Sequence, residues 1–438
     1  SYLLCETIRE VNKLSTTKQT KLRKILFNRR NWLAFASVLF LIGLAGGLNI
    51  LINGEHVIGT SNKVPWGGLI AFYIYFVGAS AGLALVASLG SVFSFNRYEV
   101  IGKRSLLAGI ALLIMGFFVL AFELGRPLNM IYLFVSPNIS SAIFWMGLIY
   151  GLLLLLLIVE FYLIVIKQTY KYAAILGLIV IIVDVAAHSN LGSVFGNVVA
   201  RPFWHGPFIP IYLIFLAILL GLGVLAVMFY IINKLDYSKD KFVFQNEHIV
   251  TGLGKLMALF IVIAIFFAGW NIYTNFYGQS YGQYEAIMAL LTGPLSFNFW
   301  VFELLMMLLI PLVLLIWKKF DPKWVSIAGL LTVIGNLFAR INIVLAGQIV
   351  PHEYIFGSKT GYVDPYVALT GYNKVYVSLS EWALLIGAIG GAILIYLIGE
   401  RLFHLDMDNS KTADNKITHE KLKAVFTKIF SKKKKANA

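Results

Sequence analysis

Ten apolar runs, each about as long as the roughly 20 helical residues needed to cross a hydrocarbon core, divide this chain of 438 residues. They lie at about 32–53, 64–95, 104–122, 139–166, 173–199, 207–233, 249–277, 295–317, 323–349 and 377–403. Inside a bilayer every backbone polar group must be satisfied within its own segment, which an α-helix does and an open strand does not. The expected fold class is therefore an all-α polytopic membrane protein of ten transmembrane helices. Charged residues make up only 13% of the chain and hydrophobic ones 59%, where soluble domains carry about a quarter charged. A soluble globular fold is excluded.

Orientation follows from Lys and Arg in the short connections, because these stay cytoplasmic. One set of connections is basic: Arg97, Lys103 and Arg104; Lys167 and Lys171; Lys234, Lys239 and Lys241; Lys318, Lys319 and Lys323. The alternate set holds only Lys63, Arg126, Arg201, Lys359 and Lys374, with none in 278–294. Both termini, each basic, are expected in the cytoplasm of a prokaryotic cell. Three regions follow: a basic N-terminal segment, 1–31, lying on the lipid surface; the membrane domain, 32–403; and a Lys-rich tail, 404–438. The formal net charge of +15 belongs to this asymmetry, so no nucleic-acid partner is expected. No cleavable signal is visible, and the first helix is expected to act as its own anchor. Cys5 is the single cysteine, which excludes an internal disulfide and an iron–sulfur cluster held by four thiolates of this chain.

Ionisable residues inside such spans are costly and point to function unless they are paired. Asp184 and His188 are four apart, on one helical face, and a carboxylate beside an imidazole can hold and pass a proton. Arg201, Trp204 and His205 follow where that span must end. Glu123, Arg126, Glu303 and Arg340 fall in the same half of the membrane, Glu303 and Arg340 deep enough to form a buried structural pair. Glu381 reads as a side chain snorkelling outward near the start of the last helix. Tyr73, about 15 Å inside the outer boundary at 1.5 Å per residue, needs a hydrogen-bond partner. The cytoplasmic half offers little beyond Glu160 and Lys255. Of seven histidines only His188 lies well within a span, so a bis-histidine haem lacks its second ligand, and apart from Asp184 and His188 no His or carboxylates have metal-ligand spacing. Residues 78–82, all small, read as a close helix contact, and Trp66 as an interfacial anchor. Pro, Ser and Trp recur near the outer starts of helices four and eight. This suggests two parallel four-helix bundles, helices 2–5 and 6–9, with flanking helices.

The order of Pro65-Trp66-Gly67, the 78–82 segment, Leu124-Gly125-Arg126-Pro127, Ser136-Pro137-Asn138 with Ser140 and Trp145, and His188-Ser189-Asn190-Leu191-Gly192-Ser193 resembles the polysulfide reductase membrane subunit (NrfD-like) family. The resemblance runs from helix two to helix ten. It is nearest to the ten-helix branch that includes membrane subunits of quinone-linked periplasmic hydrogenases and of dissimilatory sulfite-reductase-linked complexes. It implies a quinone- or quinol-binding subunit of a respiratory oxidoreductase complex, with no haem or cluster of its own. The quinone, menaquinone-type or other, is bound as substrate, and electrons pass to or from an exported, ferredoxin-like iron–sulfur subunit at the outer face, with a large catalytic subunit beyond it. Candidate quinone contacts are then His188, Asp184, Tyr73, Ser189, Asn190, Trp66, Trp204 and His205, and candidate proton carriers Asp184, His188, Glu123, Arg126, Glu303 and Arg340. Partner docking is expected over 123–138, 200–207 and 278–294. The competing reading is a secondary transporter with a charged site at the midplane, which broken helices would favour.

Overall fold

The computed structural model describes residues 29–92, 96–124, 127–167, 170–235, 242–351, 365–403 and 405. Arg126, the N-terminal segment to residue 28 and nearly all of the C-terminal tail lie outside the described residues. Ten helices are long and apolar enough to span a membrane, and no strand occurs among the described residues. We label them α1 (Arg29–Asn53), α2 (Gly68–Val92), α3 (Asn96–Glu123), α4 (Ala142–Ile166), α5 (Tyr170–Gly196), α6 (Phe208–Leu235), α7 (Phe242–Gly278), α8 (Asn298–Trp317), α9 (Pro322–Ile349) and α10 (Leu379–Leu402). Large apolar side chains such as Leu155, Ile182, Phe266, Trp270, Val313 and Ile316 stand exposed on the outside of the bundle. A surface so rich in bare hydrocarbon is stable only against lipid.

The chain is a multi-pass membrane protein built around α2, which packs on α3, α5, α6 and α9. Its small residues are the reason. A methyl group at Gly82 would overlap the Ala217 carbonyl and the Gly221 backbone of α6, so the two helices cross nearly backbone to backbone, as small residues permit in membranes. The α1–α10 pair closes in the same way, with Gly43 against Gly387, and this pair packs on α3. Contacts run around α2–α5 and around α6–α9, but α2 packs more extensively on α6 than on α5.

Several helix ends differ from the sequence expectation, each for a visible reason. The second helix begins at Gly68 rather than 64, because Val64 and Ser61 close a turn on each other. The fifth stops at Gly196, where a turn over 197–201 begins. Helix α8 is π-helical over Asn298–Leu309 and α-helical from Ile310. Pro311 explains the change: it has no N–H to give the Met307 carbonyl and its ring crowds that turn. Thr332 Oγ1 on α9 donates to the Met307 carbonyl instead, at 3.4 Å.

The two ends of the bundle are closed differently. At the end carrying Arg29 and Leu402, which we call the basic end, Glu400 of α10 pairs with Arg104 of α3 at 2.8 Å and Arg29 of α1 at 3.4 Å. At the opposite, loop-rich end, the 54–67 connection is pinned from several sides. Glu381 accepts from the Gly59, Gly68 and Ser378 amides at 3.1, 2.8 and 2.6 Å. Gln348 accepts from the Trp66 amide and donates to the Trp66 carbonyl, Glu123 accepts from the Gly67 amide, and Arg201 donates to the Lys63 carbonyl. Glu381 therefore does not snorkel: it is fully buried and forms a capping box with Ser378 at the start of α10.

Candidate functional site

Below the pinned connection, four polar side chains from three helices meet in an otherwise apolar interior. Tyr73 comes from α2, Tyr150 from α4, and Asp184 and His188 from successive turns of α5; all are at most 2% exposed. The Tyr150 hydroxyl lies 3.2 Å from His188 Nδ1 and 3.5 Å from Nε2. Asp184 Oδ1 is 3.7 Å from the same Nδ1, close enough to pair with a protonated imidazole but long for a hydrogen bond. The Tyr73 ring meets the Tyr150 ring edge-on at 6.3 Å. The Tyr73 hydroxyl and both Asp184 oxygens have no hydrogen-bond partner. Each such buried orphan costs about 1–3 kcal/mol. Three in one cluster make a site able to bond an incoming oxygen, with phenol, imidazole and carboxyl in series to carry its proton. Counted along their helices at 1.5 Å per residue, Tyr73 is about 8 Å and Tyr150 and His188 about 12 Å from the loop-rich end. Tyr73 is shallower than expected because α2 starts later.

A second polar cluster lies across α2 and α6. Glu303, in the π-helical part of α8, accepts from Asn342 Nδ2 of α9 at 2.7 Å and from the Tyr212 hydroxyl of α6 at 3.4 Å. A narrow open cleft, enclosing only about 30 Å³, reaches these three side chains between α6, α7, α8, α9 and the short helix Gln283–Leu291. Arg340 stands between the two clusters. It is fully buried, its guanidinium lies against Gly78 of α2, and it bonds Asn336 Oδ1 at 3.3 Å and the Leu213 carbonyl at 3.5 Å. It lies within electrostatic reach of Tyr150, Tyr212 and Tyr75. Arg340 and Glu303 do not form the structural pair that their depth allowed; the Glu303 carboxylate is held instead by Asn342 of α9 and Tyr212 of α6.

The remaining candidates are dispersed. Ser189 donates to the Val185 carbonyl of its own helix at 2.7 Å, while Asn190, half-buried one residue on, has an Oδ1 without a partner. Trp66 stacks on Trp204 at 5.0 Å, and both meet Phe195 edge-on. Trp204 Nε1 donates to the Ile343 carbonyl at 2.7 Å, so this trio roofs the site rather than touching its polar groups. His205 is exposed and its Nδ1 lies 3.0 Å from the Gly196 carbonyl, where it closes the end of α5. Glu123 sits at the end of α3 under the 54–67 connection. Burial draws the guanidinium of Arg201, a buried loop residue, below its ordinary value. Tyr150 was missed from sequence: it precedes the leucine-rich run 152–157 and looks like helix filler. Tyr212 was missed for the same reason.

Residues 56–352, two thirds of the chain and both clusters, match the family described as polysulphide reductase, NrfD. The chain belongs to the NrfD family. Similar proteins are matched over most of their own length. A protein of Archaeoglobus fulgidus named Hdr-like menaquinol oxidoreductase integral membrane subunit is 27% identical over 357 residues, covering 79% of this chain and 86% of its own. A selenate reductase subunit of Mesobacillus selenatarsenatis is 24% identical over 409 residues, covering 84% and 93%. The α10 helix and its Glu381 cap lie beyond the matched family segment, and the α1–α10 pair thus flanks the NrfD core.

Proposed function

We propose that this NrfD-family chain is the quinone- or quinol-binding membrane subunit of a respiratory oxidoreductase complex of a prokaryotic cell membrane. It exchanges electrons between the membrane quinone pool and an exported iron–sulfur subunit docked on the loop-rich end, which faces outward, with both termini cytoplasmic. The observation that carries this reading is the Tyr73–Tyr150–Asp184–His188 cluster, with its orphan hydroxyl and orphan carboxylate oxygens in an apolar interior. The name of the Archaeoglobus relative, a menaquinol oxidoreductase subunit, supports the same ligand class. A quinone bound there carries the electrons itself; the protein supplies hydrogen bonds and proton carriers. Tyr73 and His188 bond the ring oxygens, Tyr150 holds the imidazole, and Asp184 takes or returns the proton behind it. Glu123, Glu303 and Arg340 are further proton-carrying candidates.

Broken helices would favour a transporter. Among the described residues the ten spans run without a break, α8 being widened rather than interrupted. The test is direct. Quinone should extract from the purified complex, and single cysteines in 123–138, 200–207 and 278–294 should cross-link to an iron–sulfur subunit. Cross-links only from 234–248, with no quinone in the extract, would reject both the orientation and the function.

A further inference from the structure

The turn that joins α8 to α9 at the basic end gathers three lysines and two tryptophans, and the redox role proposed above uses none of them. Trp317 and Lys318 close α8; Lys323 and Trp324 open α9. Between them Lys319 and Phe320 both adopt the left-handed conformation, at φ 50° and 60°, which is uncommon for residues with side chains and reverses the chain sharply. The turn is held in place: the Phe320 amide donates to the Leu315 carbonyl at 3.0 Å, and the Phe320 carbonyl accepts from Thr251 Oγ1 of α7 at 3.3 Å. We infer that this turn is a binding site for an anionic phospholipid, one whose headgroup phosphate has no ammonium of its own, with a tail lying along α8. Such a site is independent of the quinone reading.

The charges specify the head. Lys318 Nζ lies 4.8 Å from the centre of the Trp317 ring and 4.9 Å from that of Trp324, and Lys323 Nζ lies 5.8 Å from the Trp324 ring. An indole face attracts and orients an ammonium, yet it lacks the oxygens that would take its three N–H donors. Among the described residues none of Lys318, Lys319 and Lys323 meets a carboxylate. Asp321, the carboxyl within the turn, accepts from the Lys323 and Trp324 amides at 3.0 and 3.4 Å and so caps α9. Three lysines against this one aspartate leave residues 317–324 positive, at a membrane boundary where each lysine adds to the attraction for an anionic headgroup. A zwitterionic head brings an ammonium of its own, which the lysines repel. The flank of α8 specifies the tail. Leu309, Val313 and Ile316 all stand exposed, and their spacing of three or four residues puts them on one helical face. Exposed Leu305 extends the stripe, and Trp317, 71% exposed, ends it beside Lys318. From Leu309 to Trp317 runs about 12 Å of helix, most of the ~15 Å that half a hydrocarbon core gives a tail. A free phosphate would use the lysines alone; a lipid uses the lysines and the stripe together.

The experiment counts lipids bound to the full-length chain by native mass spectrometry in mild detergent, during titration with phosphatidylglycerol or with phosphatidylcholine of the same acyl chains. The parent should bind a phosphatidylglycerol at least about tenfold more tightly than any phosphatidylcholine. Lys318→Gln, Lys319→Gln and Lys323→Gln combined should abolish that preference. The same three positions changed to Arg should keep it, which guards against loss of fold as the cause. Lys167→Gln, at an exposed lysine of another connection at the basic end, should leave it unchanged, and glycerol 3-phosphate in excess should not displace the lipid. The site is overturned if phosphatidylcholine binds as well as phosphatidylglycerol, if the Gln set binds as the parent does, or if the Arg set loses the preference too. It is equally overturned if Lys167→Gln weakens binding as much as the Gln set, which would mean diffuse attraction to a basic surface, or if glycerol 3-phosphate displaces the lipid, which would mean a site for soluble phosphates.

Discussion

At the scale of single residues, the four-residue spacing of Asp184 and His188 was legible because two ionisable groups on one face of an apolar helix are too costly to be incidental. Their partner Tyr150 was not legible. A tyrosine is amphipathic enough to sit anywhere in a span, and only the packing of α4 on α5 shows that its hydroxyl meets the imidazole. Tyr150→Phe keeps the ring and removes that contact; on the proposed function, quinol-linked turnover should fall about tenfold or more with assembly unchanged, as read by steady-state assay and gel filtration. Glu381 shows the opposite failure. Its Ser-x-x-Glu spacing from Ser378 is a capping-box signature that the sequence displayed, but position near a membrane boundary suggested snorkelling instead. Because the carboxylate accepts from three backbone amides, Glu381→Gln should cost about 1.5–3 kcal/mol and lower the thermal midpoint in detergent. An unchanged midpoint would mean that the pinned connection is held by Gln348, Glu123 and Arg201 without it.

At the scale of helices, length and hydropathy located all ten spans, since bilayer thickness sets both. Apolar periodicity cannot say which faces touch, because in lipid the outside of a helix is as greasy as its inside. The small-residue run 78–82 was the exception, and the structure puts it at the α2–α6 crossing. Gly82→Leu should push those helices apart, costing about 1–3 kcal/mol by overpacking, and should disturb both polar clusters at once, since α2 stands between them. The same mutation at Gly151, where a side chain would meet nothing, is the control and should leave stability within about 0.5 kcal/mol. The π-helical stretch of α8 had a readable cause in Pro311, but its consequence, Glu303 turned toward Asn342 and Tyr212 rather than Arg340, depended on where α9 and α6 lie.

At the scale of the whole molecule, polar groups are unevenly distributed between the two halves. On α4 the buried stripe from the site toward the basic end reads Tyr150, Leu153, Leu157, Glu160, so two leucines fill the ~15 Å of helix between a site hydroxyl and the next carboxyl. Protons moving through hydrocarbon need titratable groups or the water they hold. Exchange is therefore expected mainly at the loop-rich end, which is the outer side on the proposed orientation, with no pumping by this subunit. In sealed vesicles with pH reported from each compartment, uptake or release on the cytoplasmic side that Glu160→Gln abolishes would show an inner route. The central claim is that the buried cluster around His188 is where quinone chemistry is supported, and it is tested most directly by His188→Ala in the intact complex, with quinol-linked electron transfer and the complement of bound partners measured on the same preparation. Turnover should fall by about two orders of magnitude or more, the usual scale for a lost general acid–base group, while every partner remains bound. Near-normal turnover with full assembly would contradict it.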